Sequence, residues 1–144
     1  MTQLQRLTQA PQEIDVDGKK YKLAPLQLVH YAQLEEWAQR QPYAALKAKV
    51  EAINDLDIDG KLKKQKISEL MDKAEADSKD PKVIESHQET TGGFVKQIQL
   101  SLSVHHPEVT EDSVRDILKR FSIVELKHAY DRVCTVTDEE AKND

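Results

Sequence analysis

Ile14-Asp-Val-Asp-Gly-Lys-Lys-Tyr-Lys-Leu23 is the stretch on which the reading of the fold turns. Ile14 and Val16 alternate with acids, and Tyr21 and Leu23 alternate with lysines. Asp17-Gly18 between them can adopt the positive φ angles of a two-residue type I′ turn. This predicts a tight β-hairpin with one face free to pack on helices. Pro25 then disfavours helical geometry at Ala24, and from Leu26 the apolar spacing changes from two to between three and four. The hairpin therefore hands the chain to a sequence that reads as helical almost throughout.

Leu26, Val29, Leu34 and Trp37 fall on one helical stripe over residues 26–41, with Glu35, Glu36 and Arg40 facing water. Pro42 fits the first turn of a second helix carrying Leu46, Val50 and Ile53 and ending near Asn54. After a break at residues 55–60, an amphipathic helix over 61–76 carries Leu62, Ile67, Leu70, Met71 and Ala74. Residues 82–91 are weakly apolar and lead to Gly92-Gly93, a pair with high backbone entropy, so this region reads as an adaptable connector.

Residues 94–105 are the most apolar segment. Phe94, Val95, Ile98 and Leu102 make a helical stripe, while the alternation of Ile98, Leu100, Leu102 and Val104 leaves a strand as the alternative. Pro107 stops the segment. Thr110 offers an N-cap for a helix with Val114, Ile117, Leu118 and Phe121. Ser122 with Glu125 offers a capping box for another, with Leu126, Ala129, Tyr130 and Val133. The expected fold is mainly α: a small helical domain of about five to six helices with an N-terminal β-hairpin. Its expected organisation is a flexible arm at 1–12, one helical domain at 13–134 and an acidic flexible tail at 135–144.

Composition narrows the function classes. The chain has 144 residues, 33% of them charged and 5% aromatic, with a mean hydropathy of -0.68. Leu, Ile, Val and Phe make up about a quarter of it, above the disorder-prone range of under ~20%. The chain should fold around a thin core, with room for oligomerisation or a partner to supply burial. A net charge of -5 argues against nucleic acid and anionic lipid as default partners. No apolar run reads as a signal peptide or a membrane span, and a single cysteine, Cys134, fits a reducing compartment. A soluble cytoplasmic protein is expected.

No catalytic, cofactor-binding or metal-binding residue is assigned. Asp55-Leu-Asp-Ile-Asp59-Gly60 matches the start of a calcium-binding EF-hand loop, but Lys66 stands where the bidentate acid is needed, so these acids read as a helix break with capping residues. Among the histidines, adjacent His105 and His106 read as groups near the exposed carbonyls of a helix end. Cys134 has no local base, because His128 lies about 240° away around a helix. Lys61, Lys63, Lys64 and Lys66 lack interleaved aromatics or arginines and read as a wet helix face. The chain is expected not to be an enzyme.

The order of segments carries a resemblance. The Asp-Gly hairpin ends in Tyr-Lys-Leu-Ala-Pro-Leu26; Leu34-Glu-Glu-Trp37 follows, and later Leu100-Ser-Leu-Ser-Val-His-His-Pro-Glu-Val-Thr110. Together these resemble the tail assembly chaperones of long-tailed (siphovirus-type) bacteriophages, over about residues 13 to 133. The resemblance implies a mostly helical, non-catalytic protein that binds the tape-measure protein during tail assembly and then leaves. It implies a homo-oligomer, as a ring or spiral, in the host bacterial cytoplasm and absent from the mature virion. It also implies a longer form made by frameshifting. The stripes Leu26, Val29, Leu34, Trp37 and Phe94, Ile98, Leu102 would contribute to the partner-binding surface wherever the core does not consume them. The alternative is a structural head-tail connector or completion protein retained in the virion.

Overall fold

The computed structural model describes residues 12–143, with side chains described through Cys134. Strands β1 (Gln12–Val16) and β2 (Lys19–Leu23) pair antiparallel, with Val16 opposite Lys19 and Ile14 opposite Tyr21. The turn has the expected geometry: Asp17 sits at φ 54° and Gly18 at φ 90°. The Gly18 N–H donates to Asp15 Oδ1 at 2.8 Å, which locks the turn from the preceding strand. Alternation puts Ile14, Val16 and Leu23 in the core and leaves the intervening acids and lysines outside. Residues 1–11 of the expected arm lie outside the described residues, and Gln12 already belongs to β1.

Helices follow in the order α1 (Leu28–Ala44), α2 (Leu46–Asn54), α3 (Gly60–Lys79), α4 (Pro81–Gln88), α5 (Thr91–Ser103), α6 (Glu111–Arg120) and α7 (Ile123–Asn143). The described chain is mainly helical with an N-terminal two-stranded hairpin, as the pattern implied. Residues 94–103 are helical and 104–105 form a turn, which removes the strand alternative. Thr110 caps α6 in a box: its hydroxyl accepts from Ser113 N, and Ser113 Oγ accepts from Thr110 N, each at 3.2 Å. At the start of α7 the Glu125 N–H donates to Ser122 Oγ at 3.4 Å. With no Pro or Gly to stop it, α7 continues through the polar stretch beyond Thr135 to Asn143.

Three boundaries differ from expectation. Pro42 lies inside α1 instead of opening a second helix. Proline removes one N–H donor near the helix end, and Gln41 Nε2 donates to the Trp37 carbonyl at 3.0 Å there. The expected connector forms α4, because Asp80 accepts from Lys82 N at 3.0 Å and Pro81 occupies the first turn. Gly92-Gly93 lies within α5. A Cβ at Gly93 would fall 2.2 Å from the Gln88 carbonyl oxygen, so the glycine permits the close approach of α4's end. The Thr90 hydroxyl joins the two helices, donating to His87 O at 2.6 Å and accepting from Gly93 N at 3.1 Å.

The described residues fall into two compact units. Of these residues, one unit comprises 12–31 together with 94–143; the other is Ala32–Gly93. In the first, α7 packs on both hairpin strands, presenting Leu126, Ala129, Tyr130 and Val133, all buried at the predicted spacing. Ile98, Leu102 and Val114 are fully enclosed there too. In the second, α2 packs on α3 and α3 on α4, but the buried apolar side chains are only Leu34, Ala38 and Ala74.

Candidate partner-binding surface

The start of α1 is built by the residues just after the hairpin. Gln27 accepts from the backbone N–H groups of His30 and Tyr31 at 2.9 and 3.1 Å. His30 reaches back, its Nδ1 accepting the Gln27 N–H at 2.9 Å, which satisfies a donor the helix cannot. This cap turns Leu28, Val29 and Tyr31 outward. Leu28 is 86% exposed, Val29 56% and Tyr31 52%, so three large apolar side chains face water within four residues. Single exposed apolar residues are ordinary on a protein surface, whereas a contiguous group marks a contact region.

The stripe residues separate by fate. Leu26, Leu34, Ile98 and Leu102 are buried and belong to the core, so they present no surface to a partner. Trp37 is half-buried, its ring 3.6 Å from where a Gly92 Cβ would sit. Phe94 is also half-buried and meets Tyr130 edge-on, with ring centroids 6.4 Å apart. Tyr130 donates its hydroxyl to Gln97 Oε1 at 3.1 Å. Burial, reinforced by neighbouring Cys134, pushes the Tyr130 phenol above the ordinary tyrosine range and keeps it protonated. Val29 alone of the seven stands exposed. Leu28 and Tyr31 were not singled out by the stripe, because a stripe selects the face turned inward.

The remaining candidates fall into structural positions. Asp59 is the N-cap of α3, accepting from Lys61 N at 3.3 Å. Lys63 Nζ donates to the Asn54 carbonyl at 2.7 Å, placing a cation at the C-terminus of α2, while Lys61, Lys64 and Lys66 are exposed. Cys134 is half-buried and His128 exposed. Among the described residues, no group of three or more His, Cys, Asp and Glu is placed to hold a metal ion. No helix among them is long and apolar enough to cross a membrane.

His106 acts differently from expectation. His106 does not turn to the carbonyls of α5; its Nε2 accepts the Lys22 N–H of β2 at 3.0 Å, and its ring lies 5.4 Å from that of Tyr21. Beside it, Ser101 makes a buried clasp that the sequence reading missed. Its Oγ donates to Ala24 O at 2.7 Å and accepts from Ala24 N at 3.0 Å. A serine within the apolar run of α5 was the available signal, since a fully buried hydroxyl requires a partner. Comparison of the chain with protein families, curated proteins and solved structures gives no match.

Proposed function

We propose that this chain is a non-catalytic tail assembly chaperone of a long-tailed bacteriophage that binds the tape-measure protein during tail morphogenesis. The observation that carries the reading furthest is the exposed Leu28-Val29-Tyr31 turn directly after the hairpin. It offers an apolar contact for a helical client, and the charged surface around the chain keeps the free chaperone in solution. The segment order from the Asp-Gly hairpin through Leu34-Glu-Glu-Trp37 to His105-His106-Pro107 supports the same assignment by resemblance. In this reading the chaperone self-associates, acts in the host cytoplasm and leaves before the virion matures.

Co-expression with the tape-measure protein from the same phage tests it. The client's soluble yield should rise and the two should co-purify. Leu28→Ser with Val29→Ser should reduce co-purification while leaving the helical circular dichroism unchanged. Unchanged client yield together with no co-purification would overturn the reading. Mass spectrometry of purified virions separates it from a head-tail connector or completion protein, which would be found in the particle.

A further inference from the structure

We propose that the open edge of β1 binds an extended basic segment of a partner protein as a third strand. The hairpin register decides which groups are available. A two-residue turn closes on the Val16–Lys19 pair, so the ladder bonds join Val16 to Lys19, Ile14 to Tyr21 and Gln12 to Leu23. The backbone N–H and C=O groups of Glu13 and Asp15 therefore point away from β2, and those of Lys20 and Lys22 point away from β1.

The two edges of the ribbon differ. On β2 the Lys22 N–H donates to His106 Nε2 at 3.0 Å, and just beyond the strand the Ala24 N–H donates to Ser101 Oγ. On β1, no hydrogen bond from the described residues reaches the outward backbone groups of Glu13 or Asp15, and β2 is the only strand paired with it there. Helix α7 packs on β1, whose Ile14 and Val16 are buried, while Glu13 and Asp15 are exposed on the opposite face. Two N–H and two C=O groups are thus presented in the pattern that strand addition uses.

Charge selects the occupant. β2 itself shows what the acidic face of β1 accepts: Lys22 lies opposite Glu13 and Lys20 opposite Asp15, with Lys20 Nζ 3.8 Å from Glu13 Oε1. Tyr21 and Leu23, between and beyond these lysines, belong to the other face. A strand on the open edge meets the same two acids, so lysine or arginine at alternate positions, with apolar residues between them, complements it. A second copy does not fit, because its β1 edge sets acid against acid and its β2 edge is closed at Lys22. Asp15 Oδ1 is engaged by the Gly18 N–H at 2.8 Å, which makes Glu13 the residue to alter.

The probe is a synthetic peptide, Thr-Lys-Val-Lys-Val-Lys-Val-Thr, titrated into the full isotope-labelled chain and followed by residue-resolved amide exchange. It needs no tape-measure protein, so its outcome is separate from the chaperone reading. With peptide in excess, exchange at the Glu13 and Asp15 amides should slow about fivefold, the scale of one hydrogen bond, while Lys20 and Lys22 stay unchanged. The same peptide with glutamates for its lysines should protect neither. Glu13→Lys keeps the backbone groups and reverses the charge, and should weaken binding about three- to tenfold. Glu13→Pro removes an outward N–H that the ladder does not use, and should abolish binding. Any of four results overturns the proposal: no protection at Glu13 and Asp15 by the basic peptide, equal protection by the acidic one, unchanged affinity in E13K, or protection that rises with protein concentration alone, which would assign the edge to a second copy.

Discussion

The two compact units are both helical, yet they are held together differently. The unit that contains the hairpin encloses Leu23, Ile98, Leu102, Leu126 and Val114 almost completely, whereas Ala32–Gly93 buries only Leu34, Ala38 and Ala74 among its apolar residues. Two of those three are alanines, which bring little apolar area out of water. Full burial of a Leu or Ile side chain contributes about 1.5–3 kcal/mol, so the first unit draws its stability from packing. The second relies more on local devices: the Asp59 and Asp80 caps, the Thr90 hydroxyl and the i,i+4 pair of Glu75 with Lys79 at 3.2 Å. Such devices contribute about 0.3–1.5 kcal/mol each. Helical content is therefore a poor guide to where the stability resides.

Equal cuts in the two units should break this comparison most directly. Leu102→Ala removes a fully enclosed side chain and should destabilise the protein by about 2–5 kcal/mol, while Leu62→Ala, at a site 40% exposed, should change stability by under about 0.5 kcal/mol. Denaturant midpoints check both, and similar costs would mean that the second unit has a core of its own. Gly93→Ala probes the close backbone approach between the end of α4 and the start of α5. Its Cβ meets the carbonyls of His87 and Gln88, and the overpacking should cost about 1–3 kcal/mol, read as faster amide exchange or proteolysis in α4.

Removal of one cap in each unit sharpens the contrast. Thr110→Ala and Asp59→Ala should each lose about 1 kcal/mol by thermal unfolding. The Thr110 loss should be the larger, because its box is reciprocal whereas Asp59 makes a single bond at 3.3 Å. At neutral pH the smallest effect belongs to Tyr130→Phe, within about 1 kcal/mol for the lost bond to Gln97. Its signature is the alkaline limb. Burial raises the Tyr130 phenol, so the folded state holds a proton that the unfolded chain releases near pH ~10, and stability falls as pH rises beyond that point. A titration of stability from neutral to alkaline pH should show a shallower fall in the Phe variant.

Legibility followed sequence distance. Hairpin register, the Thr110 cap and the buried stripe of α7 were readable because each depends on residues within a few positions of one another. Helix α4 was readable in principle from Asp80-Pro81, an N-cap followed by a first-turn proline, but its apolar pattern is too short to announce a helix. Gly92-Gly93 misled because glycine's entropy is a local argument, while its placement in α5 answers to the carbonyl of Gln88. The candidate surface was only partly legible. Val29 was included in the stripe with Leu26 and Leu34, but which members face inward depends on what lies over them.

By itself the sequence determined the hairpin, the order and approximate extent of most helices, and the charged exterior. These follow from turn conformation, side-chain periodicity and the solvation of charge, all of which act over a few residues. Tertiary structure decided that Ser101 clasps Ala24, that His106 serves β2 instead of its own helix, and that Leu28, Val29 and Tyr31 remain in water. The first two contacts join residues 77 and 84 positions apart, and exposure is a property of the packed chain. Hydrogen-bond partners and solvent access exist only once distant segments are brought together.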